Sequence, residues 1–257
     1  MATTVSDGGR DANRYRSAQV GLTRLLVRDV RGLRRLIIPL RLRQSMPDWL
    51  VAMQAIVDQY SAASAALGAE FYDAQRDAAG VPGVFTAPVA DPPPEGKTEA
   101  SLRWATKDVW ERDPDEATEA QRQPLDVRLE QAEKKAEQVV QKLVADAGRS
   151  TVLEAVRRDR QATAWARTAA LGACAFCKLL ASRGSVFAQD TVGFRTHDGC
   201  HCGAIPVFRG QRFEPSPQAT EWARLYQEYA AGHSGSQLAR FRRALAEHDP
   251  NPLPGSH

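Results

Sequence analysis

Apolar residues recur at every third or fourth position along much of this chain, a spacing typical of amphipathic α-helices. The clearest stripe continues for about six helical turns. Its members are Leu50, Met53, Val57, Tyr60, Ala63, Leu67 and Phe71. Pro47 fits the first turn of such a helix, and Gly80 followed by Pro82 ends it. The pattern therefore predicts one long helix over this stretch.

An earlier stripe carries arginines beside its apolar residues. Leucines and isoleucines keep helical spacing from Leu22 to Ile37, while most of the arginines fall on other faces. We expect a basic amphipathic helix that ends near Pro39. It could pair with the next helix as an antiparallel hairpin around a break at residues 41–46.

Residues 81–98 interrupt the helical pattern. They hold five of the fifteen prolines, and proline is incompatible with a helix interior. We place a domain boundary in this linker.

Helical spacing returns in the second half of the chain. Thr151 and Glu154 have the spacing of a capping box, which predicts that a new helix opens there. Its outer face would carry Arg157, Arg158, Arg160 and Arg167. Helices are predicted at 101–110, from Pro124 to Leu143, over 152–171, from Ser216 to Gly232, and from Leu238 to Leu245. The fold class is therefore mainly α.

Composition agrees with a globular helical protein: 43% of the 257 residues are apolar and 25% are charged. No apolar run approaches the roughly 18–20 residues of a membrane span, so we expect no membrane partner. The first residues lack the pattern of a secretory signal peptide, which favours the cytoplasm.

Charge is concentrated near the start of the chain. The net charge is only +3, yet residues 10–43 hold ten arginines against Asp11 and Asp29, a local charge of +8. Such a cluster favours an anionic partner, either DNA or an acidic protein surface, although it could also be a solvated face. The candidate DNA contacts are Arg24, Arg28, Arg31, Arg34 and Arg35.

All four cysteines lie between Cys174 and Cys202. A Cys-x-x-Cys pair is followed after nineteen residues by a second cluster of Cys and His, which is the spacing of a tetrahedral zinc site. The candidate ligands are Cys174, Cys177, His197, Cys200 and Cys202. With every position filled by protein, the zinc would be structural rather than catalytic.

The residues leave the ligand set open. If 200–202 is extended, Cys200 and Cys202 face one side and His201 faces solvent. Either both cysteines complete the site, or His197 takes one position, which we favour. Two disulfides or a redox dithiol are the alternatives. The contexts of His233, His248 and His257 indicate no site.

The same region resembles a known family. The motifs are Trp165-Ala-Arg-Thr, Ala173-Cys-Ala-Phe-Cys177, Leu180-Ala-Ser-Arg-Gly184, Val186-Phe187, His197-x-x-Cys200-x-Cys202 and Ile205-Pro-Val-Phe208. Their order over residues 99–210 is similar to the head morphogenesis domain of Mu F-like (MuF) minor head proteins, especially of the actinophage type. His201 departs from that pattern, because relatives often have Arg there.

The resemblance implies a structural minor capsid protein rather than an enzyme. Such a protein associates with the phage portal inside the procapsid, and scaffold and major capsid protein are further candidate partners. It is made in the host cytoplasm, becomes part of the virion, and aids viral capsid assembly and DNA packaging or ejection. In the family, the cysteines and the His-x-x-Cys-x-Cys element are the expected zinc ligands. Two alternatives are a zinc-containing nucleic-acid-binding protein and, with less support, a capsid maturation protease.

These observations divide the chain into four segments and predict one compact module. The segments are a basic helical region at 1–80, the linker at 81–98, a MuF-like domain at 99–215, and C-terminal helices with a tail at 216–257. The zinc-stapled α+β module would contain a helix over 177–183 ended by Gly184, and strands near 185–188 and 204–208. We expect this module to fold without residues 1–43.

Overall fold

The computed structural model describes residues 3–110, 113, 115–188, 196 and 202–251, and this part of the chain is mainly helical with small sheets. Its strands are β1 (Thr3–Ser6), β2 (Ala162–Thr168), β3 (Phe187–Ala188), β4 (Gly203–Phe208) and β5 (Gln211–Glu214). Its helices are α1 (Arg10–Gly32), α2 (Leu42–Ala78), α3 (Lys97–Ala105), α4 (Leu125–Arg158), α5 (Ala175–Ala181), α6 (Pro217–Tyr229) and α7 (Gln237–His248). Among these helices, none has the length and apolar character needed to cross a membrane.

Four helices form a bundle. Buried side chains from α1, α2, α3 and α4 share one apolar core, whose members include Leu26, Met53, Val57, Leu102 and Val140. The predicted helix around Pro47 is confirmed, but it begins five residues earlier, so that this proline lies inside α2. The break before α2 is made of two short 3-10 turns, Leu33–Leu36 and Pro39–Arg41.

Two glycines allow the longest helices to approach closely. A Cβ added to Gly68 of α2 would lie 2.6 Å from the carbonyl oxygen of Gly148 of α4. A Cβ on Gly148 would lie 2.7 Å from the hydroxyl of Ser64 and 2.8 Å from its carbonyl oxygen. The backbones of α2 and α4 therefore touch at a point where any side chain would separate them.

The predicted helix over 152–171 is wrong. Helix α4 runs through Thr151 without a break to Arg158, and the chain then enters strand β2. The Thr151 hydroxyl does not cap a helix, since it donates to the carbonyl of Ala147 and accepts from the amide of Ala90, both at 3.1 Å. Pairing on both edges of β2 outweighs the helical propensity of its alanines.

Strand β2 is the centre of a three-stranded antiparallel sheet in the order β3-β2-β4. Trp165 of β2 stacks on Phe187 of β3, with ring centroids 4.3 Å apart, and Ala166 pairs with Ile205 of β4. The sheet packs on α2 and α4 around a second core that includes Tyr72, Val152 and Phe208. The predicted strands near 185–188 and 204–208 are confirmed, and Gly184 before them has a left-handed φ of +70°.

The N-terminal strand belongs to a different part of the fold from the basic helix α1 that follows it. Strand β1 pairs in parallel with β5, and the Asp7 carboxylate accepts hydrogen bonds from the Ser216 amide at 2.7 Å and hydroxyl at 3.0 Å. Ser216 in turn caps α6, as predicted, by accepting from the Ala219 amide. Residues 3–7 thus contact β5 and the start of α6, which follow the predicted module, and folding of the module without residues 1–43 stays a prediction.

The Pro-rich segment is attached to the bundle along its length. The Ala87 amide donates to Asp73 of α2 at 2.9 Å, and the Arg76 guanidinium donates to the carbonyls of Pro82 and Gly83. Residues on either side of the segment share both cores. The division at 1–80, 81–98, 99–215 and 216–257 stays a prediction about folding units, and the packing is continuous across the first boundary.

Candidate metal centre

The first two cysteines are positioned by helix α5. Cys174 is the N-cap of this helix, and its sulfur accepts a hydrogen bond from the Cys177 amide at 3.4 Å. Cys177 lies in the first turn and is buried, whereas Cys174 is partly exposed. The Cys-x-x-Cys spacing thus places both thiols at one end of a short helix.

The strand entering the sheet brings a third cysteine to the same place. Cys202 directly precedes β4 and is buried, and its Sγ lies 3.5 Å from the Sγ of Cys177. Two thiolates on a tetrahedral zinc with bonds of about 2.3 Å would be separated by roughly 3.8 Å. The observed distance between the two sulfurs is close to this expected separation. No disulfide joins the three described cysteines.

The remaining predicted ligands, His197 and Cys200, lie outside the described residues, as does His201. Within the described part of the chain, no group of three or more His, Cys, Asp or Glu side chains is arranged to hold a metal ion. The residue before His197 is described: the Thr196 hydroxyl donates to Asp146 of α4 at 3.1 Å. The zinc site stays a prediction. Of its candidate ligands, the sulfurs of Cys177 and Cys202 are as close together as two ligands of one zinc ion would be.

Two buried arginines surround Cys202. The Arg167 guanidinium, 1% exposed, donates to the Cys202 sulfur at 3.6 Å. Arg149 of α4 donates to the Cys202 carbonyl at 2.6 Å and to Asp146 at 2.6 Å. Cys202 is thus held through its sulfur by a side chain of β2 and through its carbonyl oxygen by a side chain of α4. The predicted position of Arg167 on an outer helix face is wrong, because this residue lies in strand β2 and its side chain is buried.

A buried ion pair closes the far side of α5. Lys178, next to Cys177, places its Nζ 2.7 Å from the Asp249 carboxylate and 5.3 Å from the centre of the Trp222 ring. The Trp222 indole also donates to Asp249 at 2.9 Å. Burial alone would raise the pKa of Asp249, but hydrogen bonds from Lys178, Asn251 and Trp222 lower that pKa below its usual value. The end of α7 is thereby fixed to the cysteine-bearing helix.

The structure separates the five candidate DNA contacts into two groups. Arg28 pairs with Asp29 at 2.9 Å, Arg31 with Glu137 at 2.9 Å, and Arg34 with Glu133 at 3.3 Å. Arg24 and Arg35 are exposed and make no ion pair within the described residues. Asp29 is already counted in the local charge of +8, so Glu137 and Glu133 of α4 offset two further charges and leave +6 on residues 10–43.

A protein-family model described as VG15 protein matches residues 8–229, so the matched region ends with the last residue of α6. No curated protein and no solved structure matches the chain significantly. The match takes in the bundle, the sheets and the cysteine-bearing helix, and it leaves α7 outside.

Proposed function

The chain belongs to the VG15 protein family, whose name indicates a phage-encoded protein, and we propose that it is a structural minor capsid protein of a tailed phage or prophage. In this role it associates with the portal inside the procapsid and aids head morphogenesis and DNA packaging or ejection. It acts through contacts with other proteins of the head rather than as an enzyme. Its place is the capsid interior of the virion, reached from the host cytoplasm during assembly.

One observation carries this proposal beyond the family match. The motifs that resemble MuF-type minor head proteins are spread over about forty residues of sequence, yet their described members meet in one unit. Trp165 stacks on Phe187, Cys177 contacts Cys202, and Ile205 pairs beside Trp165 in the sheet. A motif set that specifies a single packed module supports the resemblance more strongly than the same residues scattered over the surface would.

Zinc is the second part of the proposal. Cys177 and Cys202 would supply two ligands, and the others would come from Cys174, His197 and Cys200. Thiolate and imidazole donors suit zinc, and such an ion would join α5 to the start of β4. Because a site of this kind is not preformed in the unfolded chain, metal binding would contribute directly to folding.

Assembly of procapsids tests the capsid role. Portal, scaffold and major capsid proteins of the same phage would be expressed with this chain, and matched particles would be made without portal. Mass spectrometry of purified procapsids should find the chain in particles with portal and a strong depletion in those without. Equal amounts in both would contradict portal association. Absence from both would contradict a role in the capsid.

A second candidate function, DNA binding, is favoured by the exposed arginines of the arm. Those without an ion pair in the described part of the chain are Arg14, Arg24, Arg35, Arg41 and Arg43. If they contact phosphates, log affinity for duplex DNA should fall with log salt by about 0.9 for each contact. A shift assay at two salt concentrations measures that slope, and a flat response would exclude this candidate.

A further inference from the structure

We propose that the tip of the α1–α2 hairpin, defined as residues 35–43, docks on an acidic and partly apolar surface of another head protein. The partner is the portal if the proposed function holds, and on that point the inference rests on the proposed function. The surface lies at the opposite end of the bundle from the cysteines. It therefore differs from the candidate metal centre in both place and chemistry.

The position of the tip follows from the packing of α4. The last turns of α4 pack on the sheet through Val152 and Val156. Its first residue, Leu125, packs against the same small apolar cluster as Ile37 and Leu42 of the tip. Helix α4 has 34 residues, and at 1.5 Å per residue it separates the two ends by roughly 50 Å. A partner could therefore hold the tip without contacting the cysteine-bearing module.

The tip exposes apolar surface. Leu40 is 98% exposed and Ile38 is 47% exposed. A single exposed leucine is ordinary, but here a groove of about 650 Å³ adjoins it. The lining of the groove is more polar than apolar, and its polar side chains are Arg41, Arg43, Gln44 and Arg128. Its apolar residues are Pro39, Leu40, Leu42, Val109, Trp110 and Leu125. A protruding leucine beside a groove with an aromatic wall is the kind of surface that anchors a protein partner.

Among the described residues, no acidic side chain pairs with the arginines of the tip, in contrast to the helix that leads to it. Arg35, Arg41 and Arg43 are exposed and have no acidic partner within the described residues, whereas Arg31 and Arg34 are paired with α4. Arginines that have no acidic partner in the described part of the chain, and that lie beside the exposed Leu40 and Ile38, match an acidic rim on the partner. DNA would use the arginines but leave Leu40 and Ile38 without a role, so the observations favour a protein.

The backbone of the tip is fixed before any partner binds. The Ile38 amide donates to the buried hydroxyl of Ser45 at 3.0 Å, and the Arg41 amide donates to the Ile38 carbonyl at 2.8 Å. A preformed surface loses less conformational entropy on docking than a disordered one. The tip can therefore bind as a preformed surface and does not need to fold on binding.

Binding of the full-length chain to purified portal tests the proposal. The tip variant is Arg35→Glu/Arg41→Glu/Arg43→Glu, and the matched control Arg14→Glu/Arg24→Glu/Arg242→Glu changes the net charge equally at exposed sites elsewhere. We expect the tip variant to weaken binding about 100-fold and the control less than about threefold. Leu40→Ala should weaken it about tenfold. Equal losses in tip variant and control, or no loss on Leu40→Ala, would overturn the proposal.

A photocrosslinking experiment tests the tip as a docking surface separately from the portal as its partner. Benzoylphenylalanine would replace Leu40, or Val51 on the flank of α2 as a control that is 71% exposed, in assembling procapsids. A crosslink to portal from position 40 alone supports both proposals. A crosslink from that position to scaffold or major capsid protein supports the tip and contradicts portal docking. Crosslinks to DNA alone, or identical products from both positions, would overturn the tip.

Discussion

Lys178 and Asp249 form an ion pair that is almost completely removed from water, with side chains 0% and 3% exposed and an Nζ to Oδ2 distance of 2.7 Å. The pair joins α5, the helix capped by Cys174, to the residue that follows α7. Lys178 is adjacent to Cys177, so the position of one candidate ligand depends on a contact made 71 residues later in the chain.

Removing one partner of this pair should destabilise the protein strongly. Asp249→Asn leaves the Lys178 ammonium buried without its counter-charge, and we expect a loss of about 3–5 kcal/mol in the free energy of unfolding. Urea denaturation measures it. Glu247→Gln, two residues away and 69% exposed, is the control and should change stability by less than about 0.5 kcal/mol. Similar small effects in both variants would show that the pair is dispensable.

The lowered pKa of Asp249 predicts that the free energy of unfolding decreases at acid pH. The pKa of Asp249 is lower in the folded protein than its usual value, so its contribution is complete above an unfolded pKa of about 3.9 and is lost as pH falls through the folded pKa. The stability difference between wild type and Asp249→Asn should therefore be constant near neutral pH and shrink below about pH 4. Urea midpoints across this range test it, and a difference independent of pH would contradict it.

Substitution of the glycines where α2 and α4 touch should be costly. Gly148→Ala places a Cβ within 2.9 Å of three atoms, and we expect a loss of about 1–3 kcal/mol from overpacking. Gly21→Ala in α1 is the matched control, because nothing lies within 4 Å of its added Cβ. That change should stabilise by about 0.5–1 kcal/mol through helix propensity. Thermal unfolding distinguishes the opposite signs, and a stabilising Gly148→Ala would mean that the helices can separate without cost.

Metal analysis should find about one zinc per chain, and chelation should lower the melting temperature. Cys174→Ser and Cys177→Ser should release the metal, whereas His201→Ala should retain it. The readouts are the zinc content of purified protein and the loss of tertiary signal on addition of a chelator. Disulfides without metal, in protein kept under reducing conditions and then alkylated, would contradict the zinc proposal.

Sequence patterns predicted correctly those elements that are stabilised by residues within the pattern itself. Four members of the six-turn stripe, Met53, Val57, Tyr60 and Phe71, are buried in α2, whereas Leu50 and Leu67 are half-buried and Ala63 is exposed. Ser216 with Pro217 marks the true start of α6. The spacing of the cysteines likewise anticipated that Cys177 and Cys202 meet. In each case the sequence pattern and the stabilising contact involve the same few residues.

Elements held by distant partners could not be read from the sequence. Strand β2 is covered on both faces, so it lacks the alternation that identifies a half-exposed strand, and the spacing of Thr151 and Glu154 suggested a helix start inside α4. Arg167 was consequently placed on the surface rather than against Cys202. Strand β1 has no pattern of its own, because its pairing with β5 decides its structure.

The pairing of β1 with β5 also sets an order of events during synthesis. Thr3 pairs with Gln211, so the first strand leaves the ribosome long before its partner exists. At about 5–20 residues per second, this wait lasts roughly 10–40 s. Throughout that interval the α1–α2 hairpin can already form, while residues 3–6 present an unpaired edge that other chains could occupy. The pairing of β1 with β5 is thus a late step in folding. A ribosome that stalls before β5 would release a chain whose helical bundle has formed but whose strand β1 has no partner.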